Sequence, residues 1–193
     1  MSRLVHGFGV NDADYAVKPR VNGKQVACPA YRTWANMIQR AYNPKEQEKY
    51  PTYIGVKVCE EWRHFMAFRS WWLANNVPGW HLDKDLIGNR KLYSPHTCIF
   101  VPDWLNNFTI DSGASRGEWP IGVSWHKLRG RFQANCRHPF GRQEHLGLFD
   151  CPEHAHLAWL VRKLEIAAEI KPQMDEIDIR IYPRVVDTIR NAS

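Results

Sequence analysis

Hydrophobic positions in the first third of the chain recur at helical spacing. Between residues 31 and 42 the large apolar side chains fall three or four positions apart, and the positions between them are mostly polar. Pro29 and Pro44 flank this stretch, so the pattern predicts an amphipathic helix over residues 31–42. Its apolar stripe consists of Tyr31, Trp34, Met37, Ile38 and Tyr42.

A second helix, rich in aromatic residues, is predicted to begin at Glu60 after a short extended segment at residues 53–59. Aromatic side chains at helical spacing are typical of a buried face, so we expect this stripe to contribute to a core. Its members are Trp62, Phe65, Phe68, Trp71 and Trp72.

The central part of the chain has the pattern of a β-hairpin followed by a helix. Strand-like segments at residues 81–87 and 97–101 enclose the turn signal Gly88-Asn89. Pro102 suits the first turn of a following helix that contains Trp104, Leu105 and Asn106. Residues 110–119 are polar and contain Gly and Ser without periodic apolar positions, which predicts a linker and a domain boundary.

The C-terminal half predicts a small sheet with one helix behind it. Turn-forming residues separate three strand-like segments, and the segment after them has a single apolar face at helical spacing. The strands are expected at residues 120–126, 130–138 and 144–149, and the helix at residues 152–170.

The predicted fold is α+β. N-terminal helices precede a ββα-metal unit made of the hairpin and its helix, and a three-stranded antiparallel sheet backed by one helix follows. The predicted domains are residues 1–110 and 118–171. A C-terminal tail at residues 172–193 is expected to be a short extended piece with a helix after Pro183.

Charge and cysteine content narrow the classes of function. The 26 Lys and Arg exceed the 20 Asp and Glu, so a net charge of +6 favours a polyanionic partner without identifying it. The five cysteines include no pair with zinc-finger spacing, which indicates reduced thiols and a cytoplasmic protein. No apolar run approaches the roughly 20 residues that span a bilayer, so we expect no membrane partner.

Alternation in the second predicted strand of the C-terminal sheet separates two faces. Arg131, Gln133, Asn135 and Arg137 fall on one face, and small or apolar residues fall on the other. A free basic face suits the DNA major groove, but it is equally typical of a solvated surface, and alternation alone favours neither. The residues predicted to extend this face are Trp125, Lys127, Arg129 and Arg142.

Short motifs over residues 118–168 resemble the plant ethylene-response-factor type of DNA-binding domain. They are Pro-Ile-Gly-Val from residue 120, Gly-Arg-Phe-Gln-Ala from 130, Leu-Gly-Leu-Phe from 146 and Glu-His-Ala-His-Leu-Ala-Trp from 153. The resemblance implies a three-stranded sheet that enters the major groove of double-stranded DNA with a helix behind it. It also implies DNA contacts by Trp125, Arg129, Arg131 and Arg137.

The N-terminal half resembles phage-encoded HNH homing-endonuclease-like proteins. The residues that carry the resemblance are Leu-Asp-Lys-Asp-Leu-Ile-Gly-Asn from residue 82, Tyr-Ser-Pro from 93, Cys-Ile-Phe-Val-Pro from 98 and Asn106. Upstream, Tyr-Arg-Thr-Trp-Ala-Asn-Met-Ile from residue 31 and Val-Cys-Glu-Glu-Trp from 58 also match. The resemblance implies metal-dependent hydrolysis of DNA phosphodiester bonds.

Such chemistry needs ligands for one divalent cation and a base that activates water. Asp83 and Asp85, two apart on a predicted strand, would point the same way, and Asn106 can complete a site for Mg²⁺ or Mn²⁺. A surface turn with alternating charges would give the same Asp-Lys-Asp pattern.

The family pattern is broken at the base. Asp85, or Lys84 under a shift of one residue, stands where the family has its catalytic His, and Tyr93 stands at the middle Asn. His96 and His81 are the nearby candidates to replace that base. The predicted function is a DNA-binding homing or nicking endonuclease with Asp83, Lys84, Asp85, His96 and Asn106 at its site.

Two alternatives remain open at this point. One is a non-catalytic DNA-binding or regulatory phage protein on a degenerate nuclease scaffold, and the other is a protein-binding decoy that uses exposed tryptophans. The sequence also leaves the oligomeric state open.

Overall fold

The computed structural model describes residues 4–109 and 118–192, and the chain divides into two compact units, Met1–Phe100 and Val101–Ser193. Helices and small separate sheets occur along the described chain, which agrees with the mixed α and β composition that was predicted. No helix within the described ranges has the length and apolar character needed to cross a bilayer. Most of the predicted linker at residues 110–119 lies outside these ranges.

The first unit combines three helices with short strands in its described part. Its longest helix starts at a proline, which lacks the N–H that a first turn leaves unpaired, and the Cys28 sulfur accepts a hydrogen bond from the backbone N–H of Tyr31. The elements are α1 (Pro29–Tyr42), α2 (Pro44–Lys49), α3 (Phe65–Asn75), β1 (Arg20–Val21), β2 (Lys24–Gln25), β3 (Lys57–Val58), β4 (His81–Asp83), β5 (Leu92–Tyr93) and β6 (Ile99–Val101), whose last residue belongs to the second unit.

An aromatic cluster between α1 and α3 forms the core of the first unit. Trp34 is fully buried, and its indole N–H donates to the carbonyl oxygen of Trp62 at 2.7 Å. The Trp34 ring lies 5.5 Å from the ring of Phe65, and Trp62 meets Phe68 edge-on at 5.1 Å. The prediction that the aromatic stripe contributes to the core is therefore confirmed.

Three details of the first unit differ from the predicted pattern. The aromatic segment starts with a single 3-10 turn at Glu61–Arg63, and the α-helix begins only at Phe65. The strand predicted over residues 81–87 ends at Asp83, because the chain turns there. β5, which was not predicted, pairs in parallel with β3 and joins two segments that are far apart in sequence.

The second unit contains the predicted three-stranded antiparallel sheet, in which β8 (Arg131–Arg137) lies between β7 (Val123–His126) and β9 (Gln143–Phe149), with one long helix behind it. Strong alternation in β8 and a proline at the first helical position mark these elements in the sequence, so their bounds agree closely with the predicted ones. The elements are α4 (Asp103–Thr109), β7 (Val123–His126), β8 (Arg131–Arg137), β9 (Gln143–Phe149), α5 (Pro152–Glu169), α6 (Lys171–Ile177) and α7 (Ile181–Arg190).

One face of this sheet packs on α5. Val123 and Ala134 from the strands and Ala155 from the helix are buried together, and Trp159 covers the start of β7. Gly122, at a φ of +83°, lies so close to the Trp159 ring that only a glycine fits. About one turn after Trp159, the Arg162 guanidinium donates to both carboxylate oxygens of Glu144 on β9, which ties α5 to the sheet.

The extended piece predicted at the start of the tail at residues 172–193 is wrong. The tail forms α6 and α7, and α7 buries Ile181, Val185 and Ile189 while packing on α5. Pro183 is the third residue of α7 and not the residue before it, since a proline is tolerated in a first helical turn, where its missing N–H has no partner to lose. The tail therefore belongs to the second unit.

The five cysteines are free, and two of them are buried. Cys98 lies in the first unit, where burial raises the pKa of its thiol to about 12. Cys136 lies on the helix side of β8 in the second unit, where burial also raises the thiol pKa. Thiolate formation is disfavoured at both positions, so these cysteines behave as small apolar core residues.

Lys163 on α5 provides a test of the packing between α4 and α5. Burial lowers the pKa of its ammonium from 10.5 to about 8, while the Phe108 ring, 3.6 Å from Nζ to the centroid, favours the cation and offsets part of this effect. We expect Lys163→Met to raise the free energy of unfolding at pH 7 by on the order of 1–2 kcal/mol. The methionine side chain has a similar length to lysine but carries no charge that would have to be buried.

The sign of the pH dependence follows from the direction of that shift. The folded pKa lies below the unfolded one, so the unfolded chain binds the proton more tightly, and the wild-type protein gains stability as pH rises from about 8 towards 10.5. The advantage of Lys163→Met, measured by urea denaturation, should therefore shrink between pH 7 and about pH 9.5. An advantage that stays constant over this range would contradict the assignment.

Candidate nucleic-acid interface

The register of the second-unit sheet collects polar side chains on the face away from α5. Directly paired residues in an antiparallel sheet share a face, and His126 pairs with Arg131, Ser124 with Gln133, and Arg137 with Gln143. The alternation predicted for β8 is present, since Ala134 and Cys136 are buried while Arg137 is exposed. This face, carried by Arg131, Gln133, Asn135 and Arg137 of β8, is called the polar sheet face below.

Hydrogen bonds and one ion pair order part of the polar sheet face. The Gln133 amide donates to the Ser124 hydroxyl at 2.9 Å. The Arg131 guanidinium pairs at 2.9 Å with Asp150, whose side chain is 88% exposed. Arg131 therefore presents a partly neutralised charge. Arg137, at the other end of β8, has no ion pair with any residue of the described chain.

Three further cations lie in the turns that border the polar sheet face. Lys127 and Arg129 belong to the turn between β7 and β8, and Arg142 belongs to the turn between β8 and β9. All three are exposed, and none forms an ion pair with a described residue. Their placement at the ends of the strands agrees with the prediction. Leu128, between the first two, is 93% exposed and offers an apolar contact at the same tip.

The prediction that Trp125 extends the polar sheet face is wrong. Trp125 pairs with Phe132, so its side chain lies on the side of the sheet that faces α5. Its ring meets the Phe132 ring at 4.9 Å and remains 43% exposed at the sheet edge. A single strand pattern cannot reveal this, because the face of a neighbouring strand depends on the pairing register. Asp150 was also missed, since an acidic residue just after a strand gives no pairing signal.

The turn after β4 contains Asp83, Lys84 and Asp85. The Asp83 carboxylate accepts hydrogen bonds from the backbone N–H groups of Asp85 and Leu86 at 2.7 and 2.8 Å, which closes a tight turn. Burial raises the pKa of the Asp83 carboxyl, and these two backbone donors work against it. The prediction that Asp83 and Asp85 lie on one strand and point the same way is wrong, because the strand ends at Asp83 and Asp85 lies in the turn after it.

Lys84 is directed inward. Only 5% of the residue is exposed, and its ammonium lies above the rings of Tyr53 and Tyr93 while donating to the Asp85 carboxylate at 2.6 Å. A buried ammonium keeps its charge only with such partners. The Lys84–Asp85 pair therefore occupies one oxygen of the carboxylate that was predicted to bind the metal.

The remaining predicted site residues lie outside this turn of the chain. His96 is exposed in the segment between β5 and β6, and His81 is exposed at the start of β4. Asn106 lies on α4 in the second unit, where it is half-buried. Within residues 4–109 and 118–192, no three side chains of the His, Cys, Asp and Glu types converge in a way that would hold a metal ion.

A groove in the first unit was not found from the sequence. It has a volume of about 620 Å³ and lies between the polar side of α1 and the segment from the end of α3 to β4. Arg32, Asn36 and Arg40 line it from α1, and Trp72 and Trp80 line it from the other wall. The spacing of four residues between the three α1 positions was a usable signal, because it places them on one helical face.

Comparison with known proteins finds no matching family model, no matching curated protein and no matching solved structure.

Proposed function

We propose that this chain binds double-stranded DNA through the polar sheet face. The observation that carries the proposal is a three-stranded sheet whose free side, opposite α5, bears Arg131 and Arg137 and is bordered at both ends by exposed cations. A twisted antiparallel sheet fits the major groove, where Arg side chains reach guanine edges or phosphates. The order of strands and helix agrees with what the resemblance to ethylene-response-factor domains implies.

Salt titration tests this proposal. We expect Arg137→Ala to reduce the slope of log affinity against log salt by about one, the change expected for one lost phosphate contact. Arg131→Ala should change the slope less, because Asp150 already neutralises part of the Arg131 charge. The measurement is fluorescence anisotropy with a labelled duplex at several salt concentrations.

Arg184→Ala is the matched control. Arg184 is also exposed in the second unit, but it lies on α7, which packs on α5. Its replacement should leave the slope unchanged. Equal slopes for wild type, Arg137→Ala and Arg184→Ala would show that DNA does not contact the polar sheet face.

Hydrolysis of DNA at the turn after β4 is a second candidate function, favoured by the adjacent carboxylates of Asp83 and Asp85 and by the raised pKa of Asp83. The fit to a divalent cation is incomplete, because two of the four carboxylate oxygens are already used. One Asp83 oxygen accepts hydrogen bonds from two backbone N–H groups, and one Asp85 oxygen accepts a hydrogen bond from the Lys84 ammonium. The second oxygen of each carboxylate is the atom through which Mg²⁺ or Mn²⁺ would be held.

A plasmid nicking assay separates the two candidate functions. If the turn after β4 is the site of hydrolysis, Asp83→Asn should abolish nicking while keeping duplex affinity, since the amide oxygen still accepts the two backbone hydrogen bonds but the negative charge is lost. Asp85→Asn and Asn106→Ala test the other predicted ligands in the same way. His96→Ala should slow nicking by about a hundredfold if this imidazole is the general base.

The control for this assay is the wild-type protein with EDTA. Nicking that persists in EDTA would contradict a metal requirement. Duplex binding without nicking in magnesium, manganese, nickel or zinc would remove the nuclease proposal and leave DNA binding alone.

A further inference from the structure

The groove between α1 and the α3–β4 segment combines cations with aromatic rings and contains no acidic lining residue. Arg32, Arg40 and His81 contribute the basic groups, and Trp72, Trp80 and Phe100 contribute rings. Its volume of about 620 Å³ falls in the range of pockets that bind small organic ligands. Both the charge and the rings therefore favour a ligand that is anionic and planar at once.

The two arginines of the groove differ in their surroundings. Arg32 is exposed, and no ion pair joins it to a described residue. Arg40 is half-buried, and its guanidinium lies 5.7 Å from the centre of the Tyr53 ring, with Tyr93 and Glu46 close enough to interact with it. Contacts with Tyr53, Tyr93 and Glu46 hold the Arg40 side chain in place. Arg32 is available to pair with an incoming anion.

The aromatic wall of the groove contains a hydrogen-bond donor without an acceptor in the described chain. The indole N–H of Trp72 is buried and has no hydrogen-bond acceptor within the described chain. An unpaired buried donor is costly, and Trp72 also lines the groove that a ligand would enter. Asn36 and Asn76, which also line the groove, offer amide donors and acceptors for the polar edge of a planar ring.

We propose that this groove binds one nucleotide unit of an unpaired DNA strand, with Arg32 and Arg40 at its phosphate and the tryptophan rings against its base. Stacking on tryptophan requires an unstacked base, which a regular duplex does not offer. The proposal goes beyond duplex binding by the second unit and does not rest on it, since every lining residue belongs to the first unit.

Anisotropy titrations of the full chain with a labelled oligodeoxythymidine test the proposal. We expect Arg32→Ala to weaken binding of the single strand by about tenfold, the size of one lost charge-assisted phosphate contact. Arg32→Lys should recover part of the affinity, because the charge remains but the planar fork is lost. Arg20→Ala is the matched control, since Arg20 is exposed on β1 outside the groove, and it should bind as wild type does.

The same variants distinguish this site from the polar sheet face. Duplex affinity should be unchanged in Arg32→Ala and reduced in Arg137→Ala, while single-strand affinity should show the opposite pattern. Quenching of tryptophan fluorescence by thymidine monophosphate alone, lost in Arg32→Ala, would support the site with a free nucleotide as its ligand. Single-strand and mononucleotide binding that are both absent, or both unaffected by Arg32→Ala, would overturn the proposal whatever the duplex result.

Discussion

Gly122→Ala should unfold the sheet of the second unit or displace α5 from it, with a loss of about 3 kcal/mol or more in the free energy of unfolding. A Cβ at this position would lie 2.1 Å from Cγ of Trp159, and the Trp159 backbone belongs to α5, so the ring cannot simply move away. The φ of +83° adds the usual penalty for a residue with a side chain. Urea denaturation followed by circular dichroism measures the loss.

Gly130→Ala provides the matched control. Gly130 also has a positive φ, +58°, but a Cβ there would have no neighbour within 4 Å. Its replacement should cost only about 1 kcal/mol, the conformational term alone. Duplex affinity should fall with Gly122→Ala and remain near the wild-type value with Gly130→Ala. Equal losses of stability in the two variants would show that the contact with Trp159 is not what requires a glycine.

Trp34→Ala should have a comparable effect on the first unit, with a loss of about 4 kcal/mol. The side chain is fully buried, and its removal leaves a cavity among Tyr31, Phe65 and Gly9 as well as an unpaired carbonyl oxygen on Trp62. Trp34→Phe keeps most of the ring but loses the hydrogen bond, so it should cost less than the alanine variant. Thermal and urea unfolding of the two variants give the difference.

Leu73→Ala is the control for apolar truncation in the same unit. Leu73 lies on α3 but is 58% exposed, so its replacement should change the free energy of unfolding by about 0.5 kcal/mol or less. Because the polar sheet face lies in the second unit, Trp34→Ala is expected to weaken single-strand binding more than duplex binding. A Trp34→Ala protein as stable as wild type would contradict the placement of this ring at the centre of the core.

The sheet and helix of the second unit could be predicted because their signals are local. Arg131 to Arg137 alternate strictly, and Pro152 marks the start of α5 one residue after Cys151. The same kind of signal identified α1, whose apolar stripe is buried except for the half-buried Tyr42. Hydrophobic periodicity and the residues that start or end an element are properties of a single segment, so they can be recognised without knowledge of the segments that pack against it.

Features that depend on partners distant in sequence could not be predicted. Lys84, between two aspartates, has the pattern of a solvated turn, and only the approach of Tyr53 and Tyr93 makes its burial possible. To predict on which face of the sheet Trp125 lies, one would need the register between β7 and β8. The helices α6 and α7 of the tail pack on α5, and this packing is not visible in the tail sequence alone. Each of these outcomes is decided by tertiary contacts, which local propensity does not contain.

Each unit carries a natural reporter of its own opening. The thiols of Cys98 and Cys136 are shielded by the cores of the first and the second unit respectively. A maleimide can react with either sulfur only when the surrounding structure opens, so the labelling rate of each cysteine measures the free energy of that local opening. Peptide-resolved labelling kinetics can thus compare the two units in the unmodified chain and detect which one a bound strand or duplex holds closed.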